Sequence, residues 1–153
     1  MATPGSEVFP ATLDDLLDLD RIRQIRPSYS YFFDMGDIDS LMGLFAADPV
    51  CELPAEFGGT WTGTRQLREN FARFMHGGRT KLHALHVVSN PYVRLSGPGT
   101  ARGRWYLVVF HADIKNPLFR LGYYDDEYCK ENGVWKLKRQ RLEIAWSQLG
   151  GAA

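Results

Sequence analysis

The chain lacks any imbalance of charge, any long apolar run and any clustering of metal-binding side chains. Its 18 basic and 18 acidic residues cancel, so no overall field draws it to nucleic acid or to an anionic membrane surface. It contains no run of about 18 apolar residues, which excludes a conventional membrane-spanning helix. Met1 leads into Ala-Thr-Pro-Gly-Ser-Glu without an apolar segment, so no secretory signal is visible and a cytoplasmic location is expected. Cysteine is nearly absent. Cys51 and Cys129 stand alone without CxxC spacing, and both are expected to be reduced thiols. There is no GxGxxG, no P-loop and no spacing of metal ligands, so neither a metal nor a cofactor is expected. No internal repeat or low-complexity block is present.

What the chain does have is aromatic side chains, at 13% of 153 residues. That suits a core or pocket lined with rings, and the length suits one domain. Residues 1–10 read as a loose arm, 11–149 as the domain and 150–153 as a tail. Thr12 caps a long helix with Asp14 and Asp15 in its first turn, where they suit the dipole. Leu13, Leu16, Leu17, Ile22 and Ile25 form its expected apolar stripe. The helix continues past Pro27, which should kink it, to Met35, and stops at Gly36. A short helix follows from the Asp37 cap through Leu44. Asp48-Pro49 reads as a turn, 50–53 as a short strand and 54–59 as a loop. Thr64 caps a third helix carrying Leu67, Phe71, Phe74 and Met75 at helical spacing.

From Lys81 onward the pattern is that of strands: 81–89, bent at Asn90-Pro91 and continued over 92–95, then 100–113, 118–130 and 134–146, with Glu131-Asn132-Gly133 as a hairpin signal. Helices followed by long antiparallel strands imply an α+β fold. A curved, cone-shaped antiparallel sheet would wrap the long N-terminal helix and two shorter ones, enclosing one apolar cavity. Gly103 and Gly122 are candidate kinks.

The strand from Lys81 carries two of the four histidines. Alternation puts His86 on one face with Leu82, Ala84 and Val88, and His83 on the other with Leu85 and Val87. An imidazole in an apolar file needs partners for its ring nitrogens, and a carboxylate partner makes a general base of it. Asp34, near a helix C-terminus where the dipole opposes a carboxylate, is the expected partner. The basic residues 102, 104, 136, 138, 139 and 141 lie beside Asp125, Asp126, Glu127 and Glu143. Cross-strand ion pairs on a solvated or subunit-facing surface explain them better than a nucleic-acid site.

The segments Phe32-Phe-Asp-Met-Gly-Asp-Ile-Asp-Ser-Leu41, His86-Val-Val-Ser-Asn-Pro91, Thr100-Ala-Arg-Gly-Arg-Trp-Tyr-Leu107, Tyr123-Tyr-Asp-Asp-Glu-Tyr128 and Asn132-Gly-Val-Trp-Lys136 resemble the SnoaL-like branch of the nuclear-transport-factor-2-like superfamily. The likeness runs from about Asp18 to Trp146. That branch includes polyketide cyclases, ketosteroid isomerase, scytalone dehydratase, a bile-acid dehydratase and a dehydrochlorinase. The resemblance implies a cone-shaped α+β barrel. It puts Asp34 and His86 on the Asp–His dyad of the dehydratases and the dehydrochlorinase. Tyr29 falls on the active-site tyrosine of the bile-acid enzyme and His111 on a second active-site histidine of scytalone dehydratase.

Other positions depart from those enzymes. Val109 stands where the bile-acid enzyme has an aspartate, Leu53 where both dehydratases have a tyrosine, and Gly122 and Tyr124 where scytalone dehydratase has serine and asparagine. With Phe33 and Trp105 these form the expected substrate pocket. Five helical residues separate Tyr29 from Asp34 by roughly 140°, so the two would reach one cavity from different sides, with Tyr31 a local competitor.

The expected function is a cofactor-independent lyase, isomerase or cyclase acting on a small hydrophobic carbonyl or cyclic substrate. The alternative is a non-catalytic small subunit of a ring-hydroxylating dioxygenase, or another binding or assembly module. In either case a homo-oligomer, trimer or dimer, is expected, with no nucleic acid and no membrane as partner.

Overall fold

In a computed structural model that describes residues 10–76, 84–111 and 118–147, the elements follow the expected order. Helix α1, Leu13–Met35, opens on a reciprocal cap in which the Asp15 N–H donates to Thr12 Oγ1 and the Thr12 N–H donates to the Asp15 carboxylate, each at 3.1 Å. Donation from the Ala11 N–H, from the Thr12 side chain and from the Thr12 N–H holds the Asp15 carboxyl below its usual range. The helix ends at Gly36, whose φ of 73° places it in the left-handed region that glycine occupies without a Cβ penalty.

The face of α1 that turns inward differs from the expected stripe. Leu19, Ile22, Ile25, Arg26, Tyr29 and Ser30 are buried, whereas Leu13, Leu16 and Leu17 are exposed. The apolar stripe therefore starts a turn and a half later than leucine spacing suggests, and it carries an arginine.

Helix α2, Ile38–Gly43, is capped by Asp37 through the Ser40 N–H. Strand β1 then runs Phe45–Glu52, straight through Asp48-Pro49. The turn expected there is instead an irregularity within a strand: the register of β1 against the last strand shifts between Phe45 and Val50, which lets a proline sit in a sheet without breaking a ladder. A short strand β2, Thr60–Thr62, was not anticipated; it follows a single 3₁₀ turn at Ala55–Phe57. Helix α3, Gly63–His76, begins one residue before Thr64, which lies inside its first turn. Thr62 takes the boundary, its N–H donating to Gln66 Oε1 at 2.7 Å.

The remaining strands are β3 (Ala84–Gly97), β4 (Thr100–His111), β5 (Leu118–Glu131) and β6 (Val134–Ser147). The expected orientation of His83 lies outside the described residues. In the sheet, ordered β2-β1-β6-β5-β4-β3, β1 runs parallel to β6 while the other neighbours are antiparallel. The sheet is therefore mixed rather than purely antiparallel. It curves without closing, because β2 and β3 do not pair.

The bends have identifiable causes. Asn90, at φ 52°, sits where the β3–β4 register shifts between Ser89 and Tyr92. Gly122 sits where the β5–β6 register shifts, and a Cβ there would lie 2.3 Å from the Glu143 carbonyl oxygen. The β5–β6 hairpin turns on Asn132 and Gly133, both at positive φ. No helix among the described residues is long and apolar enough to cross a membrane. Cys51, buried, and Cys129 are unbridged, and burial raises the Cys51 thiol far above its ordinary value.

Helix α1 lies across the concave face against β3 and β6, with α3 against β1. Between them is a cluster of rings: Tyr29 meets Phe33, Phe45, Phe71 and Tyr124 at centroid distances of 6.0–6.2 Å. Beneath the rings is a buried polar group. Arg26 donates through Nε to Asp126 Oδ2 at 3.0 Å, through Nη2 to Asp126 Oδ1, and through Nη1 to Gln140 Oε1 at 3.1 Å. Tyr128 donates to Asp126 Oδ2 at 2.6 Å and receives the Trp105 indole N–H at 3.1 Å. Asp126 is thus not one of the surface acids with which its neighbours group it. Its file on β5 holds Tyr124 and Tyr128, all three buried. Asp125, one residue earlier, faces out and pairs with Arg104 at 2.6 Å, as Glu127 pairs with Arg102 at 3.8 Å.

Candidate active site

A pocket of about 240 Å³ opens on the concave face. It lies slightly below the roughly 300–1,000 Å³ typical of drug-sized ligand sites. Tyr29 and Phe33 reach it from α1, Phe71 and Phe74 from α3, and Leu53, Phe57 and Trp61 from the β1–α3 region. The sheet supplies Ala84 and His86 from β3, Leu107, Val109 and His111 from β4, Arg120 and Tyr124 from β5, and Leu142 and Ile144 from β6.

The Asp34 carboxylate lies behind His86. One oxygen is 2.5 Å from the ring Nδ1, and the other accepts the His86 backbone N–H at 2.9 Å. The carboxylate therefore holds both the ring and the strand that carries it. Its side chain is 5% exposed and that of His86 15%, so the contact is nearly sealed from water while the ring keeps one open edge. Phe33 meets the imidazole edge to face at 5.0 Å. A carboxylate on Nδ1 favours the tautomer with the proton on that nitrogen and leaves the Nε2 lone pair for the pocket.

Tyr29 also borders the pocket. Its hydroxyl oxygen accepts from Gln140 Nε2 at 3.4 Å, so the phenolic proton is directed elsewhere. Burial pushes this hydroxyl well above its ordinary pKa, and pushes that of Tyr124 up to about 12 against the pull of Arg26. Both therefore remain hydrogen-bond donors at neutral pH. Tyr31, the competing tyrosine, is exposed.

His111 faces the pocket at the end of β4, where Arg120 Nη1 approaches its Nε2 at 3.4 Å. Phe33, Leu53, Val109 and Tyr124 lie in the lining of this pocket, and Trp105 and Gly122 lie outside it. Trp105 lies farther along the same file, buried with its indole bonded to Tyr128. At Gly122 the backbone of β6 closes in, so the position serves the bend and not the lining.

Two features, one in the pocket wall and one beneath it, were not anticipated. Arg120 shares its file on β5 with Gly122 and Tyr124, so alternation along the strand pointed to it. The Arg26–Asp126–Gln140 group beneath the rings could have been found from the inward parity of Asp126. Among the described residues no group of three or more His, Cys, Asp or Glu side chains is arranged to hold a metal ion.

Comparison with known proteins agrees with this architecture. The model of the SnoaL-like domain matches residues 14–141. The chain belongs to the SnoaL-like family. Solved structures similar to this SnoaL-like chain include a candidate scytalone dehydratase of Novosphingobium aromaticivorans, 22% identical over 90% of this chain and 93% of that one, with a TM-score of 0.77. A hexachlorocyclohexane dehydrochlorinase, LinA-type3 of Novosphingobium barchaimii, is 15% identical over 89% and 92% of the two chains, with a TM-score of 0.77. A candidate aromatic ring hydroxylase of N. aromaticivorans is 22% identical over 86% and 91%, with a TM-score of 0.72. At these identities the likeness is one of fold. Among curated proteins none matches the sequence significantly.

Proposed function

We propose that this SnoaL-like protein is a cofactor-independent lyase, isomerase or cyclase of the dehydratase type. Its substrate is a small, largely apolar carbonyl or cyclic compound, and His86 is the general base. The observation that carries this reading is the Asp34 carboxylate engaged by both His86 Nδ1 and the His86 backbone N–H, with the ring at the wall of an aromatic pocket. Nε2 would take a proton from a carbon next to a carbonyl or leaving group. Asp34 would keep the ring in the productive tautomer and stabilise the imidazolium as it forms. Tyr29 would donate to the developing enolate oxygen or to a departing hydroxyl, its own oxygen being occupied by Gln140. His111 is the alternative donor. Similarity to a candidate scytalone dehydratase and to a dehydrochlorinase supports elimination-type chemistry by analogy of fold.

The test is carbon-bound hydrogen exchange in deuterium oxide across a panel of cyclic ketones and β-hydroxy carbonyl compounds, followed by mass spectrometry. Wild-type protein should label at least one compound, with His86→Ala slower by roughly 10²–10⁴-fold. Labelling undiminished in both His86→Ala and Asp34→Asn would refute the assignment.

A second reading, a non-catalytic subunit of a ring-hydroxylating dioxygenase, is favoured by the similarity to a candidate aromatic ring hydroxylase. It fits less well with a pocket left open beside the Asp34–His86 pair. Copurification of a larger iron-containing chain would support it.

We also assign the outer sheet face to a second copy of the chain. Leu85, Phe110, Leu121 and Trp146 are each 38–50% exposed there, and strand register sets Leu85 opposite Phe110 and Leu121 opposite Trp146. Contiguous exposed apolar surface of this kind marks an interaction site.

A further inference from the structure

His86, Val109 and Arg120 form one row across three neighbouring strands, because His86 pairs with Val109 and Val109 with Arg120. At about 4.8 Å per strand, their backbones are roughly 10 Å apart. The row thus begins at the ring held by Asp34 and ends at a guanidinium, with an aliphatic side chain between them. Arg120 also borders a wider surface groove along β6, and shares that position with Leu53, Leu142 and Ile144. It therefore stands at the pocket's mouth.

The guanidinium is held in place by a hydroxyl, an imidazole and an aromatic ring. Its Nε faces Ser147 Oγ at 3.4 Å, its Nη1 faces His111 Nε2 at 3.4 Å, and its carbon lies 5.2 Å from the centre of the Phe57 ring. The nearby carboxylates Glu52 and Glu143 are engaged by Arg139 and Arg141. No Asp or Glu among the described residues is ion-paired with Arg120. A planar fork of donors, set at the rim of an otherwise aromatic and aliphatic pocket, is suited to a carboxylate.

The geometry points to a carboxylate-bearing ligand: a flat, apolar body inside the pocket, its carboxylate on Arg120 at the mouth and its reacting carbon towards His86. The inference deepens the proposed function, on which it rests for the position of the base. Arg120 is in this account a specificity-determining residue. At the mouth the carboxylate keeps part of its hydration, so little of the charge–charge attraction is offset by desolvation.

The test uses naphthoate and naphthamide, which share a ring body and differ in charge. Their affinities are measured by calorimetric titration against wild-type protein, Arg120→Gln, Arg120→Lys and His86→Ala. Wild-type protein should prefer the acid by about 10-fold or more, as expected for hydrogen bonds to a charged group. The preference should vanish in Arg120→Gln, return in part in Arg120→Lys, persist in His86→Ala and weaken with added salt. Equal affinity of wild-type protein for acid and amide would overturn the inference, and that arm needs no variant to fold. An acid preference that survives Arg120→Gln would overturn it as well. Because the titration needs no turnover, lost acid preference with intact His86-dependent exchange counts against the carboxylate site alone. Retained preference without such exchange counts against the base alone.

Discussion

Replacing Arg26 by methionine should be among the most destabilising single changes in the chain, and the cost should depend on pH in a defined direction. Arg26 is fully buried and makes three hydrogen bonds, two of them to Asp126. The methionine would leave the Asp126 carboxylate, 2% exposed, with the Tyr128 hydroxyl as its remaining donor, and would remove the guanidinium 3.9 Å from the Tyr124 ring centre. Breaking a buried pair from one side costs about 3–5 kcal/mol. For a domain of this size each kcal/mol moves Tm by roughly 2–4 °C, so differential scanning calorimetry should show Tm lower by about 6–20 °C.

Burial already raises the Asp126 carboxyl, while Arg26 and Tyr128 pull it back down. Without Arg26 it rises further above its unfolded value of about 3.9. A carboxyl raised on folding contributes stability that is full below the unfolded pKa and is lost as pH rises through the folded one. The gap between wild type and Arg26→Met should therefore be wider at about pH 7.5 than at about pH 4.5. Adding Asp126→Leu should restore part of the loss, because it removes the stranded charge. A single variant within about 1 kcal/mol of wild type, or a gap that does not narrow in acid, would refute the reasoning.

Other changes have equally specific outcomes. Gly122→Ala puts a Cβ 2.3 Å from the Glu143 carbonyl oxygen, and should cost about 1–3 kcal/mol in denaturant unfolding as an overpacked site does. Tyr29→Phe should keep the fold, since the ring contacts remain, yet slow carbon-bound hydrogen exchange by about 10²–10³-fold, as loss of an oxyanion donor does. Leu121→Glu places a charge within the outer apolar face and should shift sedimentation velocity to a smaller species without lowering Tm at high dilution. A wild-type chain that sediments as a monomer would remove the basis for that expectation.

The order of helices and strands was legible because their signals are local: Thr12 with Asp15 at one end of α1 and Gly36 at the other, and Asn132-Gly133 at the hairpin. Asp48-Pro49 misled because a proline inside a strand depends on a register shift against β6, a neighbour distant in sequence. The parallel pairing of β1 with β6 is non-local for the same reason. The leucines at 13, 16 and 17 have helical spacing, but spacing alone does not say where the sheet's cover begins. The contact between Asp34 and His86 was reached through family resemblance together with strand parity. Arg120 and Asp126 were within reach of parity alone, but each is charged, and charge on a strand is ordinarily read as surface. Arg26 shows what opposes that habit, since it is buried only because a carboxylate from β5 meets it.

The state of the His86 ring tests the central claim most directly. Two-dimensional proton–nitrogen spectra of the histidine side chains should show neutral His86 protonated on Nδ1 and bare on Nε2. Asp34→Asn should disturb that pattern, and a ligand occupying the pocket should shift Nε2. A neutral His86 protonated on Nε2 in the wild-type protein, or a tautomer unaffected by Asp34→Asn, would contradict the account.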